Sequence, residues 1–215
     1  MSLFRSVIFD FDYTLADSSG GVIECFNYAC ERLGFPRASE DAIKETIGMS
    51  LQDAWGRLAG HEHDDKIDEF AALYKKRADE VVADLTFVYD EVPEILEYLR
   101  GKKVSLGIVS TKFRYRIETI LKREGLLERF DVIVGGEDVS RLKPDPEGVL
   151  AAIGRLNGRK ASTLYVGDSV IDAETARRAG VPFVVVLSGV TTREAFSDYK
   201  VHAFLKNLSE LFQIV

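Results

Sequence analysis

Short apolar runs alternate along the chain with longer stretches in which apolar residues recur at helical spacing. The runs are Ser6–Phe9, Val104–Val109, Val132–Val134, Thr163–Val166 and Phe183–Val186. Each is bounded by turn-forming or polar residues, the signature of βαβ units around a parallel sheet. Strands buried on both faces read as continuous hydrophobics rather than alternating ones, and Val104-Ser-Leu-Gly-Ile-Val and Phe183-Val-Val-Val largely do. The expected fold class is therefore α/β, a Rossmann-like parallel sheet covered by helices.

Roughly ninety residues separate the first run from the second, far more than one crossover helix needs. Within this excess, Gly21–Leu33, Ser39–Ile47, Leu51–Leu58 and Asp64–Ala83 carry helical spacing, and no strand pattern appears. Ser39 and Ser50 suit N-caps, while Gly34 and Gly60 suit C-terminal stops. The chain is thus expected to divide into a discontinuous α/β core, residues 1–15 and 85–215, and an inserted all-helical cap, residues 16–84. Its hinges would lie near Leu15–Gly20 and Asp84–Asp90. There is no internal repeat and no low-complexity segment.

Composition narrows the field. A 215-residue chain with 46% hydrophobic and 29% charged residues resembles an ordinary globular protein, not a disordered, collagen-like or disulfide-framed one. The 35 acidic residues outnumber the 28 Lys and Arg, giving a net charge of −7. Such a surface repels nucleic-acid phosphates, which must be neutralised by clustered cations, so nucleic acid is not an expected partner. No apolar run approaches the ~20 residues that cross a bilayer, and the opening residues lack the plan of a signal peptide. No membrane partner is expected. Cys25 and Cys30 match no metal or disulfide pattern. Five residues apart on a helix, they point about 140° from each other and read as reduced core thiols of a cytoplasmic protein.

Four strand ends carry candidate chemistry. Ser6-Val-Ile-Phe runs into Asp10-Phe-Asp12-Tyr-Thr14, two carboxylates two residues apart at the edge where open α/β sheets place their ligands. So close a pair of negative charges calls for a cation or a shared proton. Leu106-Gly-Ile-Val ends in Ser110-Thr111-Lys112. These hydroxyls and backbone N–H groups suit an anion, or alternatively an N-cap for a helix over Phe113–Arg123. In Arg141-Leu-Lys143-Pro144-Asp145-Pro146 the proline holds Lys143 on a stiff loop, and Asp145 is expected to cap a helix with Pro146 at its first position. Lys143 suits a phosphate as a point charge. Leu164-Tyr-Val-Gly167 ends in Asp168-Ser169, and Asp172 follows four residues after Asp168. In a parallel sheet all four ends share one edge.

Together these motifs resemble the haloacid dehalogenase-like hydrolase superfamily: Asp10-x-Asp12-x-Thr14, Ser110 ending a strand, Lys143 before Pro144, and Gly167-Asp168-Ser169-x-x-Asp172. The helical insertion directly after the first motif is placed like the small cap of the phosphoglycolate phosphatase-like branch, so the resemblance spans essentially the whole chain. Tyr13 departs from it, since most members carry glycine there. Ser110-Thr111-Lys112 looks more like the pyrophosphatases of the branch than like its phosphoglycolate phosphatases.

The resemblance implies an aspartyl-phosphate mechanism acting on a small phosphorylated metabolite. Asp10 would be the nucleophile and Asp12 the general acid and base. Ser110, Thr111 and Lys143 would hold the phosphoryl oxygens, with Thr14 orienting near the nucleophile. Asp10, Asp168 and the backbone carbonyl of Asp12 would hold Mg²⁺, with Ser169 and Asp172 in support. Monomer and homodimer are both left open.

Two other functions share the core: a phosphosugar mutase of the β-phosphoglucomutase kind, and a catalytically weak binding protein. The mutase usually carries basic residues in the cap loop for its second phosphate, and Ile47-Gly-Met-Ser-Leu-Gln-Asp-Ala-Trp55 has none. Full occupancy of the catalytic positions disfavours the binding protein. His61-Glu-His63 lacks a third spaced ligand and reads as a solvated loop. Tyr74-Lys-Lys-Arg77 reads as the wet face of a cap helix, and Trp55 as packing in the cap. Arg114 and Arg116 lie just beyond the hydroxyl pair, where either could reach an anionic substrate, but neither is expected to.

Overall fold

A computed structural model describes residues 4–215. In chain order the elements are β1 Ser6–Phe9, β2 Ala16–Asp17, α1 Ser19–Arg32, α2 Glu40–Lys44, α3 Leu51–Ala59, α4 Ile67–Val81, β3 Phe87–Val88 and α5 Val92–Gly101. Then follow β4 Ser105–Val109, α6 Arg114–Arg123, β5 Val132–Val134, α7 Glu147–Arg155, β6 Thr163–Gly167, α8 Val170–Ala179, β7 Phe183–Val186 and β8 Ala203–Leu205.

Six strands form one parallel sheet in the order β5-β4-β1-β6-β7-β8, with Ile8 opposite Gly107 on one side and Tyr165 on the other. Alternation along β1 feeds two cores. Val7 and Phe9 join Ile95, Leu99, Ile117 and Leu121 of α5 and α6. Ile8 joins Val149, Ile153, Ala173 and Ala176 of α7 and α8 on the opposite face. Each Val, Leu, Ile and Phe among these contributes about 1.5–3 kcal/mol when fully buried, which fixes the register, because a one-residue slip would exchange the faces. The chain runs outward from β1 to β5 and then returns to β6 on its other side, so a topological switch point falls at the C-terminal end of β1.

A third core holds α1, α3 and α4 together. Trp55 is fully buried, its ring 4.6 Å from Phe70 and 5.0 Å from Phe35, and its Nε1 donates to the His63 carbonyl at 3.0 Å. Cys25 and Cys30 are free thiols in the same core. Ser39 and Ser50 cap as expected, accepting from the Ala42 and Asp53 N–H groups, and Gly34 and Gly60 have φ of 78° and 97°.

Several boundaries differ from expectation. The helix expected over Ser39–Ile47 is α2 alone, followed by turns. That expected over Asp64–Ala83 is a 3₁₀ segment, His61–Lys66, leading into α4. The α7 helix takes Pro146 as its N-cap residue, and Asp145 instead accepts from the Glu147 N–H at 3.0 Å. The expected hinges contain strands: β2 and β3 pair antiparallel, Ala16 opposite Val88 and Asp17 opposite Phe87. The edge strand β8 is also additional, pairing parallel with β7. No helix among the described residues is long and apolar enough to cross a membrane.

Candidate active site

The sheet delivers its polar groups to one edge. The ladder carries Asp10 just past β1, its N–H donating to the Val166 carbonyl at 2.8 Å, while Asp168 follows β6 directly. Oxygens of Asp10, Asp168 and Asp172 lie within 4.8 Å of one another, and all three residues are buried. Asp172 comes from the first turn of α8 through a capping box: Ser169 Oγ donates to Asp172 Oδ2 at 2.6 Å and accepts from the Asp172 N–H at 3.2 Å.

Lys143 enters this cluster from the loop before α7. Its Nζ lies 2.6 Å from Asp10 Oδ1 and 2.7 Å from Asp172 Oδ1. The phenol of Tyr165, on β6, donates to the same Asp172 oxygen at 2.9 Å. Burial pushes the Asp10 carboxyl up to about 7 against the opposing charge of Lys143, and the neighbouring carboxylates of Asp172 and Asp12 add to the rise. Burial, then the charges of Asp172 and Asp10, hold Asp168 well above the usual carboxylate range. Burial alone would lower Lys143, but Asp10 and Asp172 outweigh it and hold the amine well above its ordinary value. This cluster is rich in buried negative charge, with Lys143 as its one paired cation among the described residues. Hard carboxylate oxygens gathered this closely suit Mg²⁺, which takes one or two carboxylates and keeps several waters.

Asp12 points elsewhere. Its Oδ1 accepts from Ser18 Oγ at 2.5 Å and faces Lys112 Nζ at 3.0 Å, with side-chain exposures of 6% for Asp12 and 8% for Lys112. Its carboxylate thus lies outside the Asp10, Asp168 and Asp172 cluster. Thr14 is fully buried and directs Oγ1 to Asp168 Oδ1 at 3.4 Å. Ser110 is buried at the end of β4, where its Oγ accepts from the Lys112 N–H at 3.2 Å. Neither Ser110 nor Thr111 caps α6: Phe113 is the N-cap residue, and Glu137 accepts from the Arg114 N–H at 2.8 Å. The N-cap alternative for the hydroxyl pair therefore falls. Thr111 Oγ1 instead donates across the cleft to the Gly48 carbonyl at 3.4 Å.

Two backbone details shape this edge. Tyr13 has φ of 59°, in the left-handed region that glycine enters without cost. Its carbonyl accepts from Ser188 Oγ and its N–H donates to the Ala16 carbonyl at 2.7 Å. The phenol is pushed up to about 12 by burial. Gly189, in the loop after β7, leaves no room for a side chain, because a Cβ there would sit 2.1 Å from Asp168 Oδ2.

A family profile described as haloacid dehalogenase-like hydrolase matches residues 7–186. The chain belongs to that family. Among curated relatives, a pyrophosphatase, PpaX, of Halalkalibacterium halodurans is 32% identical over 98% of this chain and 96% of its own. IndB of Dickeya dadantii, named as a phosphatase, is 29% identical over 95% of this chain and 90% of its own. A crystal structure from Bacteroides fragilis, named by family as a haloacid dehalogenase-like hydrolase, superposes with a TM-score of 0.93 at 41% identity, covering 97% and 99% of the two chains.

Within this haloacid dehalogenase-like hydrolase, Asp10, Lys143, Asp168, Ser169 and Asp172 meet in one network, and Asp12 forms a second centre with Lys112 and Ser18. Lys112, Ser18, Tyr165 and Gly189 were not singled out from sequence. Lys112 had a signal, as the third residue of Ser110-Thr111-Lys112. The others had none, because each acts through a partner distant in the chain or across a loop. Arg114 is turned away from the cleft, paired with Glu118 and Asp138. Arg116 lines it. The Tyr74–Arg77 run is not simply a wet face: Tyr74 is buried, Lys75 lines the cleft, and Arg77 pairs with Glu24 and Glu80. His61 is 81% exposed at its side chain and, among the described residues, lies in no cluster of three or more metal-binding groups.

Proposed function

We propose that the chain is a Mg²⁺-dependent phosphatase that hydrolyses a small phosphomonoester or pyrophosphate through a phosphoryl group carried on Asp10. The observation that carries this reading is the placement of Asp10 between Lys143 and Asp168, with Asp12 facing the cleft separately. A carboxylate nucleophile splits one difficult displacement into two easier ones. Asp12 protonates the departing oxygen and then takes a proton from the water that cleaves the acyl phosphate. Its bonds to Ser18 and Lys112 hold it in place for both roles.

Ser110 Oγ, the Thr111 N–H and Lys143 Nζ hold the transferring phosphoryl oxygens, and Thr14 orients Asp168. Asp10 and Asp168, with the Asp12 carbonyl, would hold Mg²⁺, and Asp172 would steady Lys143 beside them. When bound, the ion would neutralise charge developing on the phosphoryl group. Residues 16–84 act as a cap that closes over the core, excludes water and opens for release, with the β2–β3 ribbon as the seam. The substrate is a small phosphorylated metabolite and the site of action cytoplasmic, in keeping with two reduced thiols.

Mutase chemistry is disfavoured by the cap loop Ile47–Trp55, which faces the cleft without a Lys or Arg. The test is phosphate release from a panel of phosphate esters and pyrophosphate, with Mg²⁺ and with chelator. Release that requires Mg²⁺ and disappears in Asp10→Asn is expected. Full activity in that variant sinks the mechanism.

A further inference from the structure

Between cap and core lies a cavity of about 320 Å³, within the range of small-ligand sites. Of the two motif carboxylates, Asp12 lines it and Asp10 does not. Under the phosphatase reading, Asp12 protonates the leaving oxygen, so the wall beyond Asp12 is what the leaving group meets. More of that wall is apolar than polar: Val22, Phe26, Met49, Tyr74, Val82 and Phe113 line it, with Thr46, Ser50, Gln52 and Thr111 between them.

The cations there are mostly engaged. Lys112 pairs with Asp12 at 3.0 Å. The Arg116 guanidinium is held by Asp79, 2.8 Å from Nε and 2.7 Å from Nη2, and also donates to the Lys75 carbonyl at 3.0 Å. Lys75 has no carboxylate within 4.0 Å among the described residues, and its amine lies 5.3 Å from the centre of the Phe113 ring. A leaving phosphate, carrying nearly two charges at neutral pH, would therefore meet one amine free of a carboxylate beside the neutral polar groups of Thr46, Ser50, Gln52 and Thr111, and desolvating such a charge with so little opposing charge is costly.

We infer that this cleft selects a phosphomonoester whose leaving group is an apolar, aromatic-sized alcohol, and that it discriminates against pyrophosphate. The inference rests on the proposed phosphatase activity and chooses between the two substrate classes that reading admits. Met49 marks the wall that makes the choice: it lies on the cation-free cap loop and faces the cavity.

The test compares kcat/KM for benzyl phosphate, ethyl phosphate and pyrophosphate in Mg²⁺, the two alkyl esters having leaving groups of similar reactivity. Calorimetric binding of benzylphosphonate and methylenediphosphonate is measured beside it. Benzyl phosphate should exceed both other substrates at least tenfold. Met49→Lys should shift the ratio of pyrophosphate to benzyl phosphate at least tenfold towards pyrophosphate. Pyrophosphate matching or exceeding benzyl phosphate in the wild-type protein overturns the inference and leaves the phosphatase reading intact. An unchanged ratio in a folded Met49→Lys variant overturns the role given to that wall. Tight benzylphosphonate binding with no phosphate release from any substrate would instead support the cleft assignment and defeat the phosphatase reading. Absence of both binding and turnover defeats both.

Discussion

Lys143→Met removes the only cation bonded to the buried cluster among the described residues and keeps an unbranched side chain one atom shorter. Its amine lies 2.6 Å from Asp10 and 2.7 Å from Asp172, with side-chain exposures of 4%, 3% and 0% for the three groups. Removing one partner of a buried ion pair costs about 3–5 kcal/mol, since the charge left behind has neither water nor counter-ion. At 2–4 °C per kcal/mol for a chain of this size, the melting temperature of the metal-free protein should fall by roughly 6–20 °C at pH 8. The loss should depend on pH in a definite direction. Asp10 already titrates near 7, against 3.8 for an ordinary Asp, so between these values the folded state binds more protons than the unfolded one. Stability from this group therefore falls as pH rises through that window, and the variant, whose carboxylates rise further, should be closest to wild type at pH 5. Millimolar Mg²⁺ should recover more stability in the variant than in wild type, because binding to the folded state alone adds RT ln(1 + [Mg²⁺]/Kd). Scanning fluorimetry at pH 5 and 8, with chelator and with Mg²⁺, reads all of this. A metal-free variant melting within a degree of wild type at pH 8 would refute the account of the cluster.

Asp12→Asn should lower kcat by about 10²–10⁴, and should do so less for an aryl phosphate with a good leaving group than for an alkyl phosphate. Equal losses for both esters would remove Asp12 from leaving-group protonation. Gly189→Ala forces a Cβ onto Asp168 Oδ2 and should weaken Mg²⁺ binding with little change in secondary structure, as titration calorimetry and circular dichroism can show. Cys25 and Cys30, pushed by burial up to about 12 and about 11, should resist a thiol reagent at pH 8 until denaturant is added. Rapid labelling of the native protein would contradict their burial.

Asp10, Ser110 and Asp168 were legible in the sequence for one physical reason: an apolar strand that stops at a polar residue shows where the sheet edge lies, and parallel strands share that edge. Lys143 was legible because Pro144 marks its loop. The second centre at Asp12 was only half visible. Lys112 belonged to a readable motif, but its pairing with Asp12 joins residues 100 positions apart, and Ser18 and Tyr165 look like any Ser in a loop or any aromatic in a strand. The β2–β3 ribbon escaped because two-residue strands carry no periodicity. The tyrosine at position 13 was visible as an oddity, and φ of 59° shows why glycine would fit there.

The most direct test of the central claim is mass analysis of protein mixed with substrate and Mg²⁺ and quenched in acid during turnover. The account predicts one added phosphoryl group on the peptide containing Asp10, absent without Mg²⁺ and absent in Asp10→Asn. Steady turnover with no phosphoryl group at Asp10, or undiminished turnover in Asp10→Asn, would contradict it.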